Sequence, residues 1–149
     1  MSAVRWAVNT GNVATTVSRR TMLQVTAAAN HRLKVTSVGI FFEGVSNTAK
    51  PIDVRILRQT DAGTPVATPT VQKLNPGDDE TLQVSAGADY SAEPTAGPVL
   101  WQGKVHPQQG YMWQAPFGGE IPVPGGTRLA VDVLAEAGVN CTTHMEGEE

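Results

Sequence analysis

The most regular hydrophobic pattern in the chain lies between Leu33 and Glu43. This run is rich in β-branched and aromatic residues and has no charged residue in its middle, which is typical of a buried strand. A polar segment from Gly44 to Lys50 follows it, and then comes Ile52–Arg58, in which apolar residues alternate with charged ones. A long strand, a turn and an amphipathic strand predict one wall of an antiparallel β-sandwich.

The long strand changes phase near its middle. Apolar residues occupy odd positions up to Val35 and even positions from Val38 onwards. Because side chains in a strand alternate between the two faces, this one-residue slip predicts a β-bulge near Ser37 or Gly39.

Short strand-like runs recur along the rest of the chain, separated by turns that contain glycine and proline. They predict further strands at Arg5–Asn9, Thr21–Val25, Val99–Val105, Tyr111–Ala115, Thr127–Leu134 and Val139–Glu146. We expect the third and fourth of these to pair across the polar loop 106–110. We expect the last two to form a hairpin across residues 135–138. Such regular punctuation predicts an all-β protein.

The segment from Thr64 to Pro98 differs from the rest, since it is rich in Pro, Thr, Ala, Ser and Asp and poor in large apolar residues. We expect a long surface loop here, over one end of the sandwich. Within it, the run Asn75–Leu82 predicts a short helix, with Asn75 as the N-cap, Pro76 at the first helical position and acidic residues in the first turn.

The length of 149 residues fits one domain, which we place at 21–149, preceded by an N-terminal arm at 1–20. Hydrophobic residues make up 40% of the chain, which is enough for a core without a disulfide or a metal. Charged residues make up only 17%, below the usual roughly 25%. This low charge indicates either a surface partly covered by a partner or an ordinary β-rich protein whose surface is rich in Ser, Thr and Gln.

The charge distribution argues against several classes of partner. The net charge is −3 and no basic run exists beyond Arg19–Arg20, so the sequence lacks the electrostatic footprint of a nucleic-acid-binding protein. No window approaches an apolar membrane span, and residues 1–6 lack the apolar stretch of a signal peptide. We therefore expect a protein that is made in the cytoplasm and binds neither nucleic acid nor membrane.

Motifs for catalysis or metal binding are not recognisable in the sequence. The single cysteine, Cys141, falls in an alternating run with Val139 and Met145, so we interpret it as a small buried apolar residue. The three histidines have no partner at metal-ligand spacing, and we interpret the adjacent acids Asp78–Glu80 as a solvated turn. We therefore expect no enzyme activity, no cofactor and no metal.

Three aromatic residues, Trp101, Tyr111 and Trp113, come from two strands that are predicted to be adjacent. We expect Trp101 and Trp113 to fall on one face of the sheet. Three interpretations stay open for this group. It is a platform that stacks against sugars, an apolar interface between subunits, where Trp and Tyr are enriched, or part of the sandwich core.

The N-terminal arm holds candidate contact residues for a partner. Trp6 lies outside any obvious core strand, and a tryptophan in such a place often anchors an arm on a partner or on a neighbouring subunit. We expect Val4 and Arg5 to share that contact. Arg19 and Arg20 would then be rim charges that steer docking. An arm that folds back onto its own sandwich is the alternative.

The order of strands and turns resembles a known family. The resemblance runs from about Thr21 to the final residues, and the residues before Thr21 depart most from it. It is carried by the segments Leu23–Val35, Gly39–Gly44, Pro51–Gly63, Ala92–Thr95 and Pro124–Leu129, and by a last strand that runs into Glu148 and Glu149. These features are similar to those of the jelly-roll head decoration, or cement, proteins of tailed bacteriophages.

The resemblance implies both a fold and a function. The fold would be a jelly-roll β-sandwich without an active site, and the protein would sit in the virion, on the outer capsid surface of a phage head. There a homotrimer would bridge neighbouring subunits of the major capsid protein and so stabilise the shell. A carbohydrate-binding module or a tail-associated adhesin, with the three aromatic residues as its platform, is the alternative function.

Overall fold

The computed structural model describes residues 3–43 and 50–149 of the chain. Of the predicted turn from Gly44 to Lys50, only Lys50 lies within the described residues. Every regular element in the described residues is a strand: β1 (Arg5–Asn9), β2 (Val13–Ala14), β3 (Arg20–Thr26), β4 (Leu33–Glu43), β5 (Ile52–Gln59), β6 (Thr64–Ala67), β7 (Gln72–Lys73), β8 (Ser85–Ala92), β9 (Ala96–Val105), β10 (Tyr111–Gln114), β11 (Ile121–Val123), β12 (Arg128–Leu134) and β13 (Asn140–Glu148). The prediction of an all-β protein is confirmed. Within the described ranges there is no helix that is long and apolar enough to cross a membrane.

The strands form two antiparallel sheets that pack against each other, which confirms the predicted β-sandwich. The larger sheet has the order β10-β4-β13-β1-β7, and in addition β11 pairs with β4 and β2 pairs with β13. The smaller sheet has the order β6-β8-β3-β12-β5-β9. Thus β10 lies at one edge of the larger sheet, and β9 lies at one edge of the smaller sheet.

Strands that follow each other in the chain often lie in opposite sheets, so three predicted neighbours are wrong. The strand pairs β4 and β5, β9 and β10, and β12 and β13 are each divided between the two sheets. The reason is clear at β12, because β3 and β5 occupy both of its edges and leave none for β13. A short polar connection looks the same in sequence whether the chain turns back or crosses to the other sheet.

The core lies between the two sheets and is built from alternate residues of each strand. Leu129, Val131 and Val133 of β12 face it as the alternation predicts, and all three are buried. Burial of one such side chain contributes about 1.5–3 kcal/mol. The largest fully buried side chains of this core are Trp6, Met22, Leu23, Leu33, Ile40, Ile52, Ile56, Leu129 and Met145.

The predicted bulge in β4 is present. The register between β4 and β13 shifts, so that Glu146 lies opposite Ser37 and the next residue, Gly147, lies opposite Val35. The extra residue is therefore Thr36, next to the predicted Ser37. The bulge keeps apolar side chains on both sides of it directed at the core.

The segment from 64 to 98 is not a long loop, because it contains β6, β7, β8 and the start of β9. Ala88 and Tyr90 of β8 are buried, and β8 pairs with β3. Small residues suit this place, since a Cβ added at Gly87 would lie 2.6 Å from the Tyr90 hydroxyl oxygen. The strand was hidden in the sequence because Tyr90 is its one large side chain and its other residues are small or polar.

The predicted helix at Asn75–Leu82 is absent as well. Asn75 instead begins a turn, in which its side-chain oxygen accepts a hydrogen bond from the Gly77 amide and its carbonyl accepts one from the Asp78 amide. Helices shorter than roughly 12 residues depend on packing of an apolar face. The acidic residues 78–80 offer no such face, so the capping signal alone does not produce a helix.

The boundary between an arm at 1–20 and a domain at 21–149 does not describe this fold. Strand β1 pairs along its whole length with β13, from Arg5 opposite Glu148 to Asn9 opposite His144. Residues 5–9 of β1, together with β2, are therefore part of the larger sheet, and Arg20 already belongs to β3 of the smaller one. The structure corresponds to the alternative interpretation, in which the arm folds back onto its own sandwich.

Trp6 fixes β1 to the core. Its side chain is fully buried, and its cross-strand neighbour is Gly147. A Cβ added at Gly147 would lie 2.6 Å from indole atom Cζ2 of Trp6, so only glycine leaves room for the ring. The indole Nε1 has no hydrogen-bond partner among the described residues, so the contribution of Trp6 comes from packing.

We predict that Trp6→Ala lowers the free energy of unfolding by about 3–5 kcal/mol, because it leaves a large cavity in the core. Trp6→Phe should retain most of the stability, since no hydrogen bond is lost. Urea denaturation, monitored by far-ultraviolet circular dichroism, measures the free energy of unfolding of both variants. Phe117→Ala is the matched control, because Phe117 is fully exposed and its truncation should change stability by less than about 0.5 kcal/mol. If Trp6→Ala were as stable as the control variant, the assignment of Trp6 to the core would be wrong.

Candidate interaction surface

One side of the sandwich is closed by aromatic side chains. The chain leaves β9 at the edge of the smaller sheet, passes through the loop 106–110 and enters β10 at the edge of the larger sheet. Trp101 of β9 lies opposite Ile56, and Tyr111 of β10 lies opposite Ile40. Both Ile56 and Ile40 face the core, so the two aromatic side chains point toward the space between the sheets.

The rings of Trp101 and Tyr111 stack on each other. Their centroids are 4.9 Å apart and their planes differ by 7°. Such a pair contributes about 0.5–1.5 kcal/mol beyond the area that it buries. The stack joins the two edge strands and occupies one face of each ring.

The predicted grouping of the three aromatic residues is only partly right. Trp101 and Trp113 do not share a sheet face, because β9 and β10 belong to different sheets. Trp113 lies opposite Val38 and packs against the core while remaining partly exposed. The structure thus brings Trp101 and Tyr111 together and leaves Trp113 further along β10.

Further exposed apolar side chains lie on β9 and in the loop that follows β10. We call this surface the aromatic edge and define it by Val99, Leu100, Trp101, Tyr111 and Phe117. All except the partly buried Trp101 are exposed, and Phe117 projects from the loop between β10 and β11, which both pair with the same edge of β4. The run 96–119 contains a single charged residue, Lys104. Apolar exposure combined with depletion of charge is the composition of an interface core.

The backbone of β9 is a poor template for another strand. Pro98 lacks an amide hydrogen, and the register between β9 and β5 shifts twice along the strand. Proline and bulges are two devices by which proteins prevent the addition of a strand at a sheet edge. We therefore expect the aromatic edge to make contacts through its side chains.

The contact role expected for Val4 and Trp6 does not agree with the structure. Both side chains are buried within the chain itself, and the backbone of Val4 exchanges two hydrogen bonds with Glu149. Arg5 is exposed on β1 and remains accessible to a partner. The poor pattern of this segment misled the sequence analysis because only alternate residues of one short strand reach the core.

Arg19 is not a free rim charge, because it lies between two carboxylates of the smaller sheet. Its guanidinium donates to Asp53 at 2.8 Å and to Asp132 at 2.9 Å. Asp132 also accepts hydrogen bonds from Arg55, and Asp53 accepts them from Gln102. Arg19 therefore ties the segment before β3 to β5 and β12.

The electrostatics of this network favour its charged form. Burial opposes the ionisation of Asp53, but hydrogen bonds from Arg19 and Gln102 outweigh it and lower the pKa of that carboxyl. The pKa of Arg55 is raised, chiefly by its hydrogen bonds to Asp132. In the sequence, charged residues alternate with apolar ones in β5 and β12, which indicates that the charged residues share the outer face of the sheet. The sequence did not show that Arg19 would reach them.

Arg20 is held in the same way on the other side of β3. It pairs with Asp89 at 2.9 Å and donates to the carbonyl of Tyr90 at 3.2 Å. Glu93 lies near the same guanidinium at 3.8 Å. The charge of Arg20 is thus largely balanced within the chain.

Groups with possible chemical reactivity have structural roles in this fold. Cys141 is buried as predicted, and burial raises the pKa of its thiol to about 12, which keeps it protonated and unreactive. His144 lies 3.0 Å from Glu146 on the outer face of the larger sheet. In residues 3–43 and 50–149 no three His, Cys, Asp or Glu side chains are grouped so that they could hold a metal ion.

A surface depression of about 600 Å³ lies beside the Arg19 network. Its walls include Val17, Leu134 and the ion pair between Lys50 and Glu136, whose charged atoms are 2.7 Å apart. Asp53 at its base is engaged by Arg19. Lys104 also lines the depression and lies 3.4 Å from Asp53, so each charge in its lining has an opposite charge nearby.

We predict that Arg19→Gln lowers the free energy of unfolding at pH 7 by about 1–3 kcal/mol, because hydrogen bonds to buried charges are lost. The difference from the wild type should shrink at low pH. Because the pKa of Asp53 is lower in the folded state, its ionised carboxylate stabilises the fold at pH values above its unfolded-state pKa of about 3.9. That stabilisation is lost as the pH falls through the folded-state pKa.

Urea denaturation at pH 7 and at about pH 2 measures the difference in stability between the variant and the wild type. These pH values lie above and below the usual range of carboxyl pKa values. Arg32→Gln removes the same charge from an exposed position and is the matched control. A loss of stability with Arg19→Gln that is equal at both pH values would contradict the role assigned to Asp53.

We compared the chain with protein families, with curated proteins and with solved structures. No family model, no curated protein and no solved structure matches it.

Proposed function

We propose that the chain is a structural virion protein, a capsid decoration protein that binds the outer surface of a phage head as a homotrimer. It would bridge neighbouring subunits of the major capsid protein and stabilise the shell. The observation that carries the proposal is the aromatic edge, an exposed apolar surface on an otherwise well-packed β-sandwich. The jelly-roll connectivity implied by the resemblance is part of the same proposal.

The composition of the aromatic edge favours contact with a second copy of the chain. Each chain carries a net charge of −3, so two copies repel each other wherever acidic surfaces meet. The aromatic edge avoids this repulsion, because Lys104 is the one charged residue in the run 96–119. Val99 and Leu100 on one strand and Tyr111 on the other supply apolar area that association removes from water.

A trimer suits the proposed role because it repeats the same capsid contact three times. Linking contacts raises avidity by roughly 10²–10⁴ over a single contact, so tight binding does not require each contact to be strong. A protein that binds the assembled shell and not the separated subunits stabilises the shell by mass action. This work needs exposed surfaces on a rigid scaffold, and a sandwich in which Arg19 and Arg20 are paired internally provides one.

We predict that the purified chain is a trimer by native mass spectrometry and that Leu100→Glu shifts it toward the monomer. A carboxylate in an apolar interface is desolvated without a partner, which opposes association. Val66→Glu is the matched control, since Val66 is also an exposed apolar residue but lies on β6, at the other edge of the smaller sheet. A wild-type monomer, or an equal effect of both variants, would contradict the assignment of the aromatic edge to self-association.

We predict further that the wild-type protein co-sediments with mature capsids of the phage whose genome encodes it, and that Leu100→Glu reduces the bound fraction at least tenfold through lost avidity. Circular dichroism checks that the variant stays folded. A folded trimer that does not bind these capsids would refute the decoration role while leaving the self-association intact.

A further inference from the structure

Phe41 is presented on the outer face of the larger sheet in an unusual way. A Cβ added at Gly110 would lie 2.5 Å from ring atom Cδ1 of Phe41, and one added at Gly39 would lie 3.0 Å from Cε2. The phenyl ring therefore occupies space that exists only because both neighbours are glycines. Phe41 remains 42% exposed, so the sheet supports the ring from below while part of it faces solvent.

A cluster of polar side chains lies beside this ring on the same face. Asn12 donates to Glu43 at 2.9 Å, and Thr142 donates to the side-chain oxygen of Asn12 at 3.0 Å. Asn140 donates to the same Glu43 oxygen at 3.4 Å. These bonds fix the orientation of two carboxamides, a hydroxyl and a carboxylate, all of them exposed.

The strand register sets the distance between the ring and the polar cluster. Phe41 lies directly opposite Thr142, and Glu43 lies opposite Asn140. Side chains directly opposite each other have Cβ atoms about 4.5–5.5 Å apart, and residues two apart on one strand are separated by about 7 Å. The ring and the polar groups therefore share a patch of about the size of one or two sugar rings.

We propose that this patch, formed by Phe41, Glu43, Asn12, Asn140 and Thr142, binds the pyranose ring of a carbohydrate. The C–H face of a pyranose packs on an aromatic ring, and its neighbouring hydroxyls each donate and accept a hydrogen bond. Carboxamides supply both donors and acceptors, and a carboxylate supplies acceptors, so the polar cluster matches adjacent hydroxyls. Apolar support combined with a few oriented polar groups is the usual composition of a small-molecule site.

A protein partner fits this patch less well. On the side of β13 the phenyl ring adjoins hydrogen-bonding groups, and on the side of β10 its apolar neighbour is the exposed Met112. An interface core, in contrast, is depleted of hydrogen-bonding groups and lies on a continuous apolar surface. The patch also differs in place from the aromatic edge. Phe41 points away from the core on the outer face of the larger sheet, while Tyr111 points toward the space between the sheets. The proposal therefore does not depend on self-association or on capsid binding.

The test begins with the folded wild-type chain on an array of immobilised glycans that covers the common hexoses and N-acetylhexosamines. The methyl pyranoside of the best terminal sugar is then titrated into ¹⁵N-labelled protein, up to about 20 mM, since a site for one sugar ring is expected near a Kd of about 1 mM. We expect amide shifts at residues 39–43 and 140–142. Absence of array binding, or shifts confined to other residues, overturns the proposal.

Three variants separate this site from adventitious binding. Phe41→Ala removes the ring and Asn140→Ala removes a carboxamide. Each should weaken binding and raise the Kd at least tenfold. Phe41→Tyr keeps an aromatic ring and should retain binding, which guards against a loss caused by altered folding. Phe117→Ala removes an exposed phenyl from the aromatic edge and should leave the Kd unchanged. An equal loss with Phe41→Ala and Phe117→Ala, or none with either, refutes the assignment to Phe41.

Discussion

The crossing of the chain from one sheet to the other determines most of what this molecule presents to its surroundings. Because β9 and β10 lie in opposite sheets, their connection spans the open side of the sandwich instead of closing a hairpin. Trp101 and Tyr111 meet across that opening and exclude water from the core behind them. Within the described part of the chain, no further strand covers the exposed apolar residues on these two edge strands. The aromatic edge therefore lies at this side of the sandwich.

Alternation of apolar residues determined the strands well but not their neighbours. The slip between Val35 and Val38 located the bulge at Thr36 to within one residue, because side chains must return to the core on both sides of it. The burial of Cys141 followed from the same alternation. The alternation of apolar residues does not show which edge of which sheet a strand joins. The sheet partners of β9, β10, β12 and β13 could therefore be identified only from the structure.

The errors at the N-terminus and in the segment 64–98 have a common physical cause. Sequence analysis recognises a strand by large apolar residues, yet β8 has only one, Tyr90, among alanine, glycine and polar residues. The strand at Arg5–Asn9 was predicted with its observed bounds, but its five residues did not show that it joins the core. A strand of either kind is stabilised by the ladder and the core that it joins rather than by its own pattern. The candidate site shows the same limit, since Arg19 was noticed as a charge but its two carboxylate partners are 34 and 113 residues away in the chain.

The contact between Trp6 and Gly147 has a consequence for the evolution of this protein. The indole of Trp6 and the backbone carbonyl of Lys34 together occupy the volume that a side chain at position 147 would need. A side chain at position 147 is therefore disfavoured, and a smaller residue at position 6 would not by itself make room for one, because the carbonyl of Lys34 would remain. A glycine near the end of a sequence that also carries a bulky residue near its start would therefore help to identify distant relatives whose overall similarity has been lost.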